Sequence, residues 1–198
     1  MKTTINCFIP FADAAQAEKT IQGLKSSNLV KDIYLLETED TEVPLQGCRI
    51  LHVPALNSTA TMRIIAAHSD ADYTLFYTKY TTLKLGMFAL ERMTRIAEDS
   101  VAGMVYADHY QVSEGIQKNA PVIDYQFGSL RDDFNFGSVL LYKASALQEA
   151  VTRMKTDYQF AGLYDLRLKL SQKESLVHIN EYLYSEIEND TRKSGEKI

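Results

Sequence analysis

The feature that most constrains this chain is a repeated alternation of short apolar runs with segments of helical spacing. Residues 3–9 form the first apolar run, ended by Pro10, and Asp13 then opens a segment whose apolar residues lie on one helical face. Four further apolar runs follow, at residues 32–37, 48–53, 73–77 and 102–106. Repeated βα units of this length predict an α/β fold with a mainly parallel sheet flanked by helices. Ligands of such sheets bind at the carboxyl ends of the strands.

The second half of the chain departs from this regular alternation. Residues 108–125 are polar and rich in turn-forming residues, whereas residues 136–142 return as an apolar strand. Apolar spacing predicts three further helices, through residues 83–97, 147–154 and 163–170. A last strand is predicted at residues 176–179, and we expect the sheet to become mixed in this half.

Length and composition bound the number of domains. A chain of 198 residues that is 45% hydrophobic can bury one substantial core, which predicts a single domain over residues 1–185. Residues 186–198 are charged and lack large apolar side chains apart from Ile187 and Ile198. This composition predicts a tail, or a linker to further domains outside this sequence.

Charge and hydropathy limit the partners and the location. With 26 acidic and 21 basic residues, the chain lacks the excess of positive charge that binds the phosphates of nucleic acid. Its first apolar stretch is too short for a signal-peptide core or a membrane span. We therefore expect a cytoplasmic protein, at most peripheral to the inner face of the membrane and not integral to it. The isolated Cys7 and Cys48 are predicted to be reduced structural residues.

Several strand ends and one helix share a pattern with a known enzyme family. The first strand ends in Phe-Ile-Pro at residues 8–10, and the second ends in Leu-Leu-Glu at residues 35–37. Residues 63–81 follow the same pattern, as does the helix Tyr-Asp-Leu-Arg-Leu-Lys-Leu at residues 164–170 with its following strand at 177–184. Over residues 3–185 the element order resembles family 2 glycosyltransferases with a GT-A fold. The resemblance implies a domain that binds a nucleotide sugar, with a UDP-sugar favoured, and a saccharide acceptor.

The resemblance assigns donor-side roles to five residues. Pro10 and Phe11 would lie beside the base, and Glu37 stands where the family has an aspartate that accepts a hydrogen bond from uracil or ribose. Arg63 lies near the family's diphosphate-side arginine, whose guanidinium can pair with a phosphate. Lys79 is a candidate for neutralising the diphosphate, and the alternative is a solvated surface lysine.

The chain departs from the family where a metal would be held. Family members place an Asp-x-Asp motif directly after the central strand to hold Mg²⁺ or Mn²⁺, whereas this chain has Thr-Lys-Tyr at residues 78–80. A hydroxyl, an ammonium and a phenol do not replace two carboxylates. We therefore predict no protein metal site, and any Mg²⁺ or Mn²⁺ would be bound weakly through the substrate diphosphate. The Asp-Ala-Asp triplet at residues 70–72 precedes that strand and is interpreted as a turn.

The catalytic base expected from the family is also missing. Family members carry a Glu-Asp pair before the Tyr-Asp-Leu stretch, and here those positions are Gly162 and Leu163. The nearest acid, Asp165, is the candidate base that would take the proton of the acceptor hydroxyl. Alternatively, Asp165 is an ordinary first-turn residue that stabilises a helix dipole.

Two polar segments are candidates for the acceptor side. Residues 126–137 frame Arg131, Asp132 and Asp133 with aromatic residues and glycines, a composition that suits a sugar or a diphosphate. The two aspartates are therefore further catalytic candidates, and Arg131 is an acceptor-binding candidate; the alternative is a turn with an internal ion pair. Asp108 and His109 follow a predicted strand and could bind the acceptor, although a loop histidine is often simply exposed.

Three functions remain open from the sequence. The first is transfer of a sugar from a nucleotide sugar to a glycan, with inversion at the anomeric carbon as the resemblance implies. The second is a non-catalytic saccharide-binding or scaffolding module, which the missing carboxylates favour. The third is a nucleotidyltransferase, which would need a glycine-rich loop after the first strand, and residues 11–13 contain no glycine there.

Overall fold

The computed structural model describes residues 2–39 and 45–188, and its elements follow the predicted alternation. The strands are β1 (Ile5–Pro10), β2 (Val30–Glu37), β3 (Arg49–His52), β4 (Tyr73–Tyr77), β5 (Thr82–Leu85), β6 (Met104–Ser113), β7 (Ile116–Ala120), β8 (Val139–Lys143) and β9 (Leu176–Ile187). The helices are α1 (Ala14–Lys25), α2 (Thr59–Ala67), α3 (Ala89–Ser100), α4 (Ala144–Thr152) and α5 (Gly162–Ser171). None of the helices in these ranges has the length and apolar character needed to cross a membrane.

The described strands form one mixed sheet in the order β3-β2-β1-β4-β8-β6-β9-β5, with β7 paired to β6. Strands β3, β2, β1 and β4 run parallel, as does the pair β6 and β9. Strand β8 runs antiparallel to both β4 and β6, and β5 runs antiparallel to β9. The predicted α/β fold, with a mixed sheet flanked by helices, is confirmed.

Helices cover both faces of the sheet because each buries one apolar stripe. One core cluster contains apolar residues of α1 and α3, and the other contains those of α2, α4 and α5. The predicted cap of α1 is confirmed, since the Asp13 side chain accepts a hydrogen bond of 2.8 Å from Gln16 N. Ser58 caps α2 in the same way by accepting from Thr61 N at 3.1 Å. Each of these helices is the next element after a parallel strand, α1 after β1 and α2 after β3.

Two predicted elements differ from the structure. Leu83 does not begin a helix but lies in β5, opposite Glu186 of β9, and α3 begins only at Ala89. The polar segment 108–125 is not all loop, because β6 continues to Ser113 and turns back into β7. At Leu83, long-range pairing with β9 outweighs local propensity. Strand β7 instead forms a tight hairpin with β6, whose turn residues Glu114 and Gly115 both have positive φ. Strand β7 is largely exposed, which accounts for its polar sequence.

The last strand runs further than the sequence suggests. Strand β9 begins at the predicted Leu176 and continues to Ile187, with Glu186 and Ile187 paired to both β5 and β6. The first two residues of the predicted tail are therefore part of the sheet. Glu188 still donates a backbone hydrogen bond of 2.9 Å to Val112 O, and residues 189–198 lie outside the described residues.

The Asp-Ala-Asp triplet lies at the amino ends of the parallel strands. Asp72 Oδ2 accepts a hydrogen bond of 2.8 Å from Thr4 N, just before β1. Asp70 accepts from Asn6 Nδ2 at 2.6 Å and forms an ion pair with Lys31 at 2.9 Å. The triplet thus joins α2 to β4 and fastens the amino ends of β1 and β2, as the turn interpretation predicts.

Candidate functional site

The carboxyl ends of three parallel strands bring predicted donor-side residues into one row. Tyr34, Phe8 and Phe76 are register partners across β2, β1 and β4. Three positions further along each strand stand Glu37, Phe11 and Lys79. Beyond these partners, Phe11 N donates to Leu36 O at 3.0 Å between β1 and β2, and Thr78 N donates to Ser138 O at 2.9 Å on the side of β4 that faces β8. With neighbouring strands about 4.8 Å apart, the paired parts of β2 and β4 are separated by about 10 Å.

Glu37 is a buried carboxylate at the wall of a cavity. Its residue is 2% exposed, and no hydrogen-bond donor of the described chain reaches either of its carboxylate oxygens. His52 Nδ1 lies 3.9 Å from Glu37 Oε2, and both residues line a cavity of about 300 Å³. The cavity is lined by Glu37, Thr38, Glu39, His52, Val53 and Pro54. Because burying an unbonded carboxylate is costly, this arrangement favours a ligand that donates hydrogen bonds to it.

Lys79 belongs to a cluster of three ionisable side chains. Its Nζ lies 3.8 Å from Glu186 Oε2, and Glu186 Oε1 lies 3.2 Å from His109 Nε2. Glu186 is 5% exposed and His109 is 2% exposed, whereas half of the Lys79 side chain is in solvent. The cluster therefore places a cation at the surface over a buried carboxylate and imidazole.

The buried side of this cluster is closely packed around Tyr184. The ring of Tyr184 stacks on His109 with centroids 5.0 Å apart, and Tyr184 Oη accepts a hydrogen bond of 2.8 Å from Ser138 N. Burial raises the pKa of Tyr184 to about 12, so the phenol stays neutral. Gly137 has φ of 72°, and a Cβ at that position would lie 2.5 Å from Tyr184 Oη. Only glycine fits this turn, because a side chain would be strained and would also collide with the tyrosine.

We expect His109 to impose a pH dependence on stability. Burial lowers the pKa of His109 below its usual 6.5, with Glu186 acting in the opposite direction. The unfolded chain then binds a proton at higher pH than the folded chain. The free energy of unfolding therefore falls as the pH drops from about 6.5 toward the lower pKa of the folded state. Urea denaturation at a series of pH values should show this loss in the wild type and a flatter profile in His109→Gln. Parallel profiles for the two proteins would contradict it.

A second histidine joins the loop after β7 to the sheet. His178 of β9 places Nε2 2.9 Å from Asp108 Oδ1 and Nδ1 2.7 Å from Asp124 Oδ1. Asp108 is buried and also accepts a hydrogen bond of 2.8 Å from Val122 N. Asp108 is thus satisfied by internal partners, and its structural part is to hold residues 121–125 against β6 and β9.

The loop after β7 carries the predicted acceptor-side acids at the surface. Arg131 forms an ion pair of 2.6 Å with Asp133, and Asp132 Oδ1 accepts a hydrogen bond of 3.0 Å from Asp133 N. A cavity of about 710 Å³ lies along the loop, lined by Arg131, Asp133 and Phe134 together with further polar residues and three aliphatic ones at residues 121–123. All three charged residues are exposed, so they are available to a ligand.

Two predicted site residues stand apart from the strand-end row. Asp165 is buried in the first turn of α5, with its carboxylate 3.4 Å from Lys169 Nζ one turn later. Arg63 lies on α2 and pairs with Asp157, while its Nη2 donates to Met154 O at 3.2 Å. Each of these side chains therefore has an internal partner in the structure.

The residues beyond β4 do not fit a divalent cation. Lys79 puts an ammonium where the resemblance would place metal-binding carboxylates, and the neighbouring Glu186 is already shared by Lys79 and His109. Across the described ranges, no three His, Cys, Asp or Glu side chains are arranged to hold a metal ion. We therefore derive no step through a metal.

Sequence reasoning missed three residues of these clusters. Glu186 was assigned to the tail because its surroundings in sequence are charged, although its strand pairs on both sides. His178 and His52 lie in predicted strands and carried no motif. The one available signal was position, because His52 is the last residue of β3 at the same sheet edge as Glu37.

Comparison with known proteins gives a likeness of fold. No family model and no curated protein matches the chain. The crystal structure of S. aureus TarS 1–349 in complex with UDP-GlcNAc is similar with a TM-score of 0.63 and 9% identity, covering 99% of this chain and 62% of that one. The chain thus spans about three fifths of that structure.

Two further similar structures are named for other chemistry. The 4-diphosphocytidyl-2C-methyl-D-erythritol synthase from Anaerococcus prevotii gives a TM-score of 0.56 at 10% identity, over 92% of this chain and 91% of that one. The bifunctional IspDF from Campylobacter jejuni gives 0.53 at 8% identity, over 90% and 50%. These likenesses establish the fold of nucleotide-diphospho-sugar transferases and leave membership of family 2 as a proposal.

Proposed function

We propose that this chain binds a nucleoside-diphosphate sugar, with a UDP-sugar favoured, and transfers the sugar to a saccharide acceptor. The observation that carries the proposal is the buried Glu37 carboxylate, to which no donor within residues 2–39 and 45–188 forms a hydrogen bond, in a residue that lines a cavity. Uracil N3–H and the ribose hydroxyls are donors of the kind that this carboxylate lacks. The similar TarS structure holds UDP-GlcNAc, which supports the choice of ligand class.

The row of strand ends suits the length of such a ligand. With the nucleoside at Glu37 and Phe11, a diphosphate extends across the ends of β1 and β4 toward Lys79. The separation of about 10 Å between the backbones of β2 and β4 suits a nucleoside with its phosphates. The Lys79 ammonium then neutralises negative charge in place of a metal ion.

The saccharide acceptor is assigned to the cavity along the loop after β7. Its lining combines carboxylate, guanidinium and amide groups with the aromatic face of Phe134, a mixture that suits a polyhydroxylated ring. Asp132, Asp133 and Asp165 remain the candidates for the base that takes the acceptor proton. The resemblance to family 2 places such chemistry at the cytoplasmic side, in polysaccharide synthesis.

A non-catalytic saccharide-binding or scaffolding module is the second candidate. It is favoured by the acids themselves, because Asp165 pairs with Lys169 and Asp133 pairs with Arg131. Both carboxylates therefore already have a cationic partner within the protein. Binding of a nucleotide sugar without any sugar transfer or hydrolysis would favour this module over the enzyme.

Calorimetric titration with UDP-GlcNAc tests the proposal directly. We expect measurable binding that survives EDTA, because the predicted contacts come from Glu37 and Lys79 and not from a metal ion. Titrations with ADP-glucose and GDP-mannose serve as controls for the base. Absence of heat with every nucleotide sugar would refute the proposal, and affinity that disappears with EDTA would refute its metal-free form.

A further inference from the structure

The three ionisable groups beyond β4 come from three separate elements. Lys79 follows β4, His109 lies on β6 and Glu186 lies on β9, so only the folded sheet brings them together. The Glu186 carboxylate lies between the other two, 3.8 Å from the Lys79 ammonium and 3.2 Å from the His109 imidazole. The buried Glu186 carboxylate can therefore be neutralised either by the Lys79 ammonium or by a protonated His109 imidazole.

The charge balance depends on which partner is positive. A buried carboxylate is tolerated when a cation compensates it. The groups facing His109 are Glu186 and the neutral Tyr184 from β9, Lys79 from the segment after β4, and Asp108 from its own strand. Asp108 is occupied by Val122 N and His178, and desolvation keeps His109 neutral near pH 7. In the unliganded protein, Lys79 is therefore the cation that compensates Glu186.

An anion at the strand ends would compete for the same lysine. The 3.8 Å separation between Lys79 Nζ and Glu186 Oε2 is longer than a hydrogen bond, and the lysine side chain is half exposed. A diphosphate beside Lys79 can therefore draw the ammonium outward. Glu186 then loses its compensating charge, and the buried His109 is its remaining partner.

We infer that Glu186 is a positioning residue that holds Lys79 until a diphosphate displaces it, and that the Glu186–His109 pair takes up one proton in the exchange. The inference rests on the proposed function, since it requires the diphosphate at Lys79. It adds a regulation of that site, because binding becomes coupled to pH. By linkage, uptake of one proton strengthens binding by up to about tenfold for each unit by which the pH falls.

Titration of UDP-GlcNAc is the test, because its diphosphate is esterified at both ends and lacks the phosphate monoester that titrates near pH 6. Calorimetry in two buffers of different ionisation enthalpy counts the protons exchanged. We expect uptake approaching one proton per UDP-GlcNAc near neutral pH, and an affinity that rises as the pH falls from about 8 to about 6.

Three variants separate the roles. Glu186→Gln frees Lys79 permanently, so at about pH 8 it should bind UDP-GlcNAc about fivefold or more tightly than the wild type and without proton uptake. His109→Gln should abolish the uptake near neutral pH. Its matched control is His68→Gln, which changes a histidine at the amino-terminal edge of the sheet and should leave the uptake intact.

The outcomes distinguish this inference from the proposed function. If the wild type binds UDP-GlcNAc without proton uptake, or Glu186→Gln binds no more tightly, the inference is overturned and the proposed function stands. If the wild type does not bind at any pH, the proposed function fails and the inference fails with it. Because proton uptake is measured on the wild-type chain, the test holds even if a buried variant does not fold.

Discussion

A Glu37→Met variant is expected to lose affinity for UDP-GlcNAc by at least about tenfold while its melting temperature stays level or rises. Methionine has a similar length but neither charge nor a strong hydrogen-bond acceptor. The variant therefore loses the hydrogen bond between the carboxylate and the ligand. A hydrogen bond to a charged group contributes about 1.5–3 kcal/mol to the free energy of binding. The unliganded protein loses only a buried carboxylate that no donor of the described residues satisfies, and removing such a group is not destabilising. Calorimetry and a thermal melt measure the two effects.

Two controls sharpen the result for Glu37. Glu37→Gln keeps an acceptor oxygen without the charge, so its affinity should fall between those of the wild type and Glu37→Met. Glu149→Met removes an exposed carboxylate on α4 that pairs with Lys173, far from the strand ends, and should leave UDP-GlcNAc binding unchanged. A Glu37→Met protein that binds normally would contradict the assignment. One that melts well below the wild type would show that the carboxylate stabilises the fold.

Replacing Glu37 is expected to weaken ligand binding without destabilising the free protein. A group held for a ligand is often unfavourable in the free protein, and the cost is recovered only on binding. Glu37 fits this description, whereas Asp108 and Asp165 are buried acids with internal partners. The distinction between them depends on partners and not on burial, which all three share.

The fold was largely predictable because most of its elements are marked locally. Asp13 and Ser58 cap their helices, and β1 and β4 are continuous apolar runs buried on both faces. The misassigned helix start falls where pairing comes from distant sequence. The Leu83 segment has helical spacing but becomes a strand because β9 lies beside it, and no local signal reports that neighbour.

The site was predictable only in part, for the same reason. Pro10, Phe11, Glu37 and Lys79 end neighbouring strands, so the rule for parallel sheets places them at one edge. Glu186 joins Lys79 only through the long strand β9, which the charged sequence hides. Nothing in the sequence states that Glu37 lacks a donor or that Asp165 has a lysine one turn away. Those properties belong to packing in three dimensions.

The glycine that begins α5 accounts for the missing base in steric terms. Gly162 stands where the resemblance would place the first acid of the Glu-Asp pair, and it contacts the turn that opens α2. A Cβ on Gly162 would lie 2.2 Å from Thr59 N and 2.3 Å from the carbonyl carbon of Ser58. These are backbone atoms that a rotamer change cannot move. The close contact between α5 and α2 therefore excludes a side chain at this position. A glutamate introduced there would disrupt the fold and could not act as a base.

Gly162→Ala should consequently destabilise the protein by about 1–3 kcal/mol, the usual cost of forcing extra atoms into a packed interior. Gly23→Ala is the matched control, because Gly23 also lies in a helix but its added Cβ would meet Leu83 O only at 4.0 Å. That change should stabilise the chain by about 0.5–1 kcal/mol through helix propensity. Urea denaturation of the two variants should therefore shift in opposite directions. If Gly162→Ala is as stable as the wild type, α5 is not seated on α2 as described, and the steric exclusion of a base at this position does not hold.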